Sequence, residues 1–548
     1  MKTYDMIARA VAQEGVTDAF ALLGDANMNF ATRLSETGCR MIYVRHEHCA
    51  AAAAMAYARK TGRTGFATVT CGPGLTQLMT ALPAAVRARL PMVVLAGEAP
   101  LKSGWYNQAI DQAPFVVATG SAYHALHLPE RMPLQIRDAF AQAARERRPV
   151  VLGIPFDLQN RDWRGPETLP TPSAEIAPVV SPMPPHPDDI ARAADIVAGS
   201  RRVIVMAGMG AVEAGAGPAC RALAERIDAL VSTTLPARGL FHDDPFNLNV
   251  AGGFSHEVAR ECFAEADLVI AVGGSLARHN ADGGALWPGA RVLQIDIDPA
   301  ALSQGRLAAD AHLRADARLG VEALIAALPG RVPDWRSAAL AARIATASPD
   351  SAAFAREPGL HDPREVVTAL EAALPAEWQM VNSSGHCSFY FAQMPSRPHD
   401  KFLTIREFGA IGNGISFAMG VAVARPDETV VLFDGDGSLL MHVQELETIA
   451  RHGLNILIVV LNDGAYGSEI HKLRAEGLSD EGAVFGRTDL AAVARGFGIG
   501  GETVTDLAAL PDMVRAFARS GGAAVWDIPI SDKVYSPVIA RAHPPKGH

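Results

Sequence analysis

Short, continuously apolar runs recur along the chain, separated by longer stretches of helical periodicity. The first third carries Phe66–Thr70 and Pro91–Ala96. The middle third carries Val203–Met206, Asp267–Val272 and Val292–Ile297, and the last third Thr429–Phe433 and Ile456–Leu461. Runs this short, alternating with helical patterns, predict parallel strands covered on both faces. The opening MKTYDMIARAVAQEG predicts an amphipathic helix. Residues 164–187 and 347–363 are Pro-rich, lack periodicity, and predict linkers. The expected fold class is α/β, with three doubly wound parallel-sheet domains in series at 1–165, 186–335 and 360–545. No short-period repeat interrupts that reading.

Composition narrows the classes of function. The formal net charge is -10, and no Lys/Arg-rich run offers a footprint for nucleic acid. The six cysteines are scattered, without the spacing of a zinc site, and read as reduced thiols. No signal-peptide pattern or membrane-length apolar run is evident, so a cytoplasmic location is expected.

In doubly wound sheets, ligands sit beyond the carboxyl ends of the strands. One such end reads Asp434-Gly435-Asp436-Gly437-Ser438 and runs into the helix-like LLMHVQELETIARHG. Glycines there admit close approach of a ligand, the following helix N-terminus attracts an anion, and Asp436 is placed to hold a hard cation. The next strand ends in Asn462-Asp463-Gly464-Ala465-Tyr466-Gly467. Adjacent strands would bring Asp463 beside Asp436, with a nearby backbone carbonyl as a third oxygen. Either turn alone is most often just a turn; the pair at one crossover spacing carries more weight.

This pair resembles the diphosphate-binding motif of thiamine diphosphate enzymes, in which Gly-Asp-Gly is followed by a strand ending in Asn-Asn. Asp463 departs from that pattern by replacing the second Asn. The resemblance runs along the whole chain and is greatest to the acetolactate synthase, pyruvate decarboxylase and benzoylformate decarboxylase group. It implies an order of pyrimidine-binding, central and diphosphate-binding domains, and thiamine diphosphate with Mg²⁺ as cofactors. Asp436, Asp463 and the Ala465 carbonyl would be the metal ligands. Gly435, Gly437, Ser438, Tyr466 and Gly467 would complete the anchor.

Further positions follow from the same resemblance. Glu47, at the start of an Ala-rich helix, matches the glutamate that promotes the imino tautomer of the aminopyrimidine and so leads to the C2 ylid; without the resemblance it is a first-turn Glu favoured by the helix dipole. Thr70–Gln77 (TCGPGLTQ) resembles the turn beside the pyrimidine and implicates Gly72, Pro73, Gly74 and Gln77. Phe408–Gly414 (FGAIGNG) resembles the loop that bends the cofactor, with the Gly409 carbonyl on its amino group and Ile411 between its rings. Gly385 and His386 match a loop that contacts the diphosphate.

Three acidic residues are candidates for choosing the reaction. Asp25 follows Gly24 in FALLGDANM, which resembles the Gly-Asp-x-Asn turn of pyruvate decarboxylases. Glu469 falls where those enzymes carry an active-site Glu. Asp111 and Gln112 stand where acetolactate synthases carry Gln and Glu. The paired histidines of decarboxylases have no match. In the central block Gly208 and Gly210 follow a strand, a weak nucleotide signal; the flavin-binding segment of acetolactate synthases is missing, and FAD is not expected.

The resemblance therefore implies a 2-oxo acid decarboxylase or carboligase that works through an enamine, on a small 2-oxo acid or diketone. It implies a homodimer as the minimum assembly and a homotetramer as the expected one, because the family cofactor lies between subunits. The alternatives are a lyase or hydrolase that cleaves a carbon–carbon bond without decarboxylation, and a catalytically retired regulatory or binding homologue.

Overall fold

The computed structural model describes residues 1–298, 308–332, 334–394 and 397–544. Among the described residues eighteen strands form three six-stranded sheets, every ladder parallel. The apolar runs are the strands expected of them. Gly65–Val69, Val203–Ala207, Val430–Gly435 and Ile456–Asn462 are buried almost throughout, because helices cover both faces of each sheet.

The first sheet runs in the order Arg40–Tyr43, Asp18–Ala21, Gly65–Val69, Met92–Glu98, Pro149–Pro155, Ala122–Ala125. The third repeats that topology with Phe402–Thr404, Gln379–Asn382, Val430–Gly435, Ile456–Asn462, Ala523–Pro529 and Gly500–Thr503. In both, the chain reverses its winding direction between the second and third strands of the order. Those two switch points, after Asp18–Ala21 and Gly65–Val69 and after Gln379–Asn382 and Val430–Gly435, are where the topology opens a crevice.

The first and third domains share one core. The helix Glu47–Thr61 is alanine at seven of its fifteen positions and is buried on every side from His48 to Ala58. It lies against Gly414–Ala424, itself apolar all round, and a single cluster of buried residues runs through both. The approach is close enough that a Cβ on Gly420 would overlap the Ala53 carbonyl.

One predicted helix is two. LLMHVQELETIARHG breaks into Asp436–Met441 and Glu445–His452, because His442 leaves helical geometry at φ -135°. Its Nδ1 turns to the Gly412 carbonyl at 2.9 Å instead. Among the described residues no helix is long and apolar enough to cross a membrane.

Candidate active site

At the switch point of the third sheet, three helices begin at one cleft. Cys387–Ala392 follows Gly385 and His386, Asp436–Met441 follows Gly435, and Gly467–Ala475 follows Tyr466; all of these residues line the cleft. Its free space, open mouth included, is about 460 Å³. Three converging N-termini, with unsatisfied N–H groups and positive dipole ends, make a strong anion receptor.

The floor of the cleft is acidic. Asp436 is 1% exposed, and its Oδ2 accepts from the Gly464 amide at 2.9 Å. Asp463 caps its own turn, accepting from the Ala465 amide at 3.2 Å. The two carboxyls are close enough to hydrogen-bond. Burial, with Asp463 beside it, pushes Asp436 up to about 8, and burial pushes Asp463 up to about 6. Two desolvated carboxyls side by side are what a hard divalent cation relieves. Among the described residues no group of three or more His, Cys, Asp or Glu side chains is arranged to hold a metal ion by itself. A cation here would draw its further ligands from the backbone, from water or from a diphosphate.

Glycines leave the room such a ligand needs. A Cβ on Gly437 would stand 2.8 Å from the Tyr466 ring, and one on Gly467 2.5 Å from Asp463 Oδ2 and 3.1 Å from His386 Nδ1. The donor set and the bare backbone thus fit an Mg²⁺-diphosphate group.

His386 is held in one tautomer. Its Nε2 accepts from the Ser536 amide at 3.0 Å, and burial keeps the ring neutral by pushing its pKa well down. The proton must then sit on Nδ1, which faces Gly467 and the floor of the cleft. Ser438 ties the turn to its neighbours: its Oγ lies 2.9 Å from Ser383 Oγ and accepts from the Gly412 amide at 2.9 Å. That second bond fixes the loop carrying Gly409 (φ +73°) and Ile411, and Ile411 reaches the cleft wall. Glu469 lies at the cleft mouth, more than half exposed, 3.4 Å from Lys472.

Glu47, Asp25 and the Gly72 turn do not line this cleft. They gather at the corresponding switch point of the first sheet. Glu47 opens its helix behind the His46 cap, half-buried, and its Oε1 would lie 3.5 Å from a Cβ on Gly74. Gly24 packs against Thr70, and Thr70 Oγ1 accepts from the Ala26 amide at 3.3 Å, so the Asp25 loop rests on the strand leading to Gly72. Asp25, Pro73 and Gln77 are exposed. Gly72 takes φ +58°, and a Cβ there would overlap the Gln108 carbonyl.

Asp111 is exposed, with its Oδ1 accepting from the Ala113 amide at 3.3 Å. The neighbouring Gln112, 3% exposed, is the residue turned to Gly72. The sequence marks Gln112 only as standing where acetolactate synthases carry Glu; its contacts with Gly72, Gly97 and Tyr123 are not visible in any local pattern. Sequence reasoning passed over Tyr390, Cys387 and Ile530 in the cleft wall, ordinary core residues by type.

In the central domain the glycines serve packing. The Gly208 amide donates to the Val272 carbonyl at 2.8 Å and the Gly210 amide to the Gly273 carbonyl at 2.9 Å. A Cβ at either would collide with the Gly273–Gly274 backbone.

Comparison with known proteins matches three family models in the same order along the chain. The N-terminal TPP (thiamine pyrophosphate, that is, diphosphate) binding domain of thiamine pyrophosphate enzymes matches residues 1–115, their central domain 190–324, and their C-terminal TPP binding domain 383–528. The acetolactate synthase large subunit of Parasynechococcus marenigrum is 30% identical, over 91% of this chain and 82% of its own. A probable 2-ketoarginine decarboxylase of Pseudomonas aeruginosa is 31% identical over 94% and 92%. The acetolactate synthase isozyme 2 large subunit of Escherichia coli is 30% identical over 91% and 90%.

Proposed function

The chain belongs to the thiamine pyrophosphate enzymes of the acetolactate synthase and decarboxylase group, and on that premise we propose how its residues serve a 2-oxo acid decarboxylase or carboligase. The observation that carries the reading is the convergence of three helix N-termini on the Asp436–Asp463 pair.

Thiamine diphosphate, when bound, supplies a carbon nucleophile and an electron sink for cleavage beside a ketone. Asp436, Asp463 and the Ala465 carbonyl hold Mg²⁺. The amides of Gly437, Ser438 and Gly467, with His386 Nδ1–H, hold the diphosphate. The Gly409 carbonyl would hold the aminopyrimidine and Ile411 would pack against the bound cofactor. Glu47, beside the Gly72-Pro73-Gly74 turn, would hold and return a proton at its carboxylate. Asp25, Asp111 and Glu469 surround the substrate and decide whether the reaction ends in protonation or in addition to a second carbonyl.

We further propose that the working site joins the first domain of one chain to the third domain of another, in a homodimer at minimum and a homotetramer by expectation. Two features support this. The residues lining the diphosphate cleft all come from the third domain. Large exposed apolar side chains stand near both half-sites: Leu23, Met28 and Trp105 by one, Phe408, Met441 and Phe485 by the other. The protein is read as cytoplasmic, acting on a small 2-oxo acid or diketone, with a central domain that is structural and takes no FAD; the consumed Gly208 and Gly210 amides support the last point.

The test is product analysis with a panel of 2-oxo acids and 1,2-diketones, with and without aldehyde acceptors. Activity requiring both thiamine diphosphate and Mg²⁺ is expected. No cofactor-dependent turnover of any 2-oxo acid would overturn the reading.

A further inference from the structure

Gln112 sits under the Gly72 turn with its amide pinned from both ends. Oε1 accepts from the Gly72 amide at 2.9 Å; Nε2 donates to the Gly97 carbonyl at 3.0 Å and to the Tyr123 hydroxyl at 3.3 Å. A main-chain amide only donates and a carbonyl only accepts, so the orientation of this side chain is fixed. The direction propagates outward. Having accepted from Gln112, the Tyr123 hydroxyl donates to Glu98 Oε1, and Glu98 Oε2 lies 2.7 Å from Nε2 of His127, whose side chain is 49% exposed. A polar chain thus runs from solvent to the turn beside Glu47.

The surrounding packing is cut to this chain. A Cβ on Gly153 would overlap both the Tyr123 hydroxyl and Glu98 Oε1. Gly97, whose carbonyl Gln112 holds, is pressed so closely on Ala26 that its own Cβ would overlap that residue. Gln112 therefore links the end of one strand to both loops of the switch point, the Asp25 loop through Gly97 and the Gly72 turn directly. Both of its amide hydrogens are spent inside the protein, and it has none to offer a ligand.

We propose that Gln112 is a positioning residue that holds the Gly72–Gly74 turn against Glu47, and that its neutral amide keeps this hold independent of pH. The proposal rests on the reading of this half-site as the pyrimidine end of the cofactor site. A carboxyl of the same shape could accept from Gly72 and donate to Gly97 only while protonated. Ionised, it would oppose the Gly97 carbonyl. The titratable groups around it are Tyr123 and Glu98, with His127 behind them, Asp111 on its own segment, and Cys71, Tyr106 and Asp25 beyond the turn; of these, His127 is the one that can carry positive charge, and it stands at the far end of the chain. Buried there, a carboxyl would keep its proton well above the usual range.

The experiment is calorimetric titration of thiamine diphosphate, with Mg²⁺ present, into the full-length wild type, Gln112→Glu and Gln112→Ala. Losing the Gly72 bond should weaken binding about tenfold in Gln112→Ala at every pH. Gln112→Glu should match wild type within about threefold near pH ~5.5 and fall to about tenfold weaker near pH ~8.5. A constant ratio of Gln112→Glu to wild type across that range overturns the proposal, as does wild-type affinity in Gln112→Ala. If Gln112→Ala does not fold, the Gln112→Glu ratio alone decides. Wild type that binds no cofactor would instead overturn the functional reading beneath it.

Discussion

Asp436 and Asp463 face one another at the floor of the diphosphate cleft, within hydrogen-bonding reach. Burial raises both carboxyls, Asp436 to about 8 and Asp463 to about 6. A carboxyl raised above its unfolded value binds protons more tightly in the folded state. Its contribution to stability is therefore complete at low pH and is lost as pH climbs from about 4 towards about 8. On the proposed reading Mg²⁺ would displace those protons, and so would bind more tightly as pH rises. Chelated protein should show a thermal midpoint that falls across this window, with Mg²⁺ restoring more at its upper end. Asp463→Asn should flatten the fall. Equal Mg²⁺ stabilisation at both ends of the window, measured by calorimetric melting, would contradict the paired site.

Glu47 lies beside the Gly74 turn and outside the diphosphate cleft, so its loss should spare the anchor. Glu47→Gln should lower turnover by about 100-fold or more, the usual weight of a positioned proton-transfer group. Affinity for thiamine diphosphate should change little. Near-normal turnover in single-turnover and steady-state assays would remove Glu47 from the chemistry.

The legible parts of this protein were those whose information is local. Val430–Gly435 and Ile456–Asn462 announced themselves as buried strands, and because they are neighbours in the sheet their trailing Asp436 and Asp463 had to meet. The Gly72 turn and the Glu47 helix start were equally visible. The role of Gln112 is not legible, because a Gln in a loop looks the same whether or not a glycine forty positions earlier needs its oxygen. The break at His442 was hidden for a similar reason: the periodicity runs on through it, and only the distant Gly412 carbonyl rewards leaving the helix. Asp25 and Asp111 are legible as acidic residues near the Gly72 turn, and both are exposed in the single chain.

The close crossing of Glu47–Thr61 with Gly414–Ala424 carries a prediction about stability. Gly420 sits in a helix interior at negative φ, where alanine would ordinarily raise helix propensity. Here its Cβ would overlap the Ala53 carbonyl, so Gly420→Ala should destabilise by about 1–3 kcal/mol through forced separation of the helices. Gly482→Ala, whose Cβ would meet nothing within 4 Å, is the control and should be close to neutral. Urea unfolding of the two variants gives the comparison, and an equally neutral Gly420→Ala would show that the shared core yields more easily than its packing implies.

Glu469 separates anchoring from reaction choice. It stands at the cleft mouth on the first turn of Gly467–Ala475, exposed and paired only loosely with Lys472. An exposed pair of this kind contributes little to stability, so Glu469→Ala should leave the thermal midpoint and cofactor affinity near wild type. If its carboxyl delivers or withholds a proton at the reacting carbon, the same substitution should shift the ratio of aldehyde to addition product severalfold. The measurement is that ratio under a saturating 2-oxo acid with an aldehyde acceptor present. A shift in ratio at constant affinity assigns Glu469 to the choice of reaction. An unchanged ratio returns the residue to its surface ion pair and leaves the choice to Asp25 and Asp111.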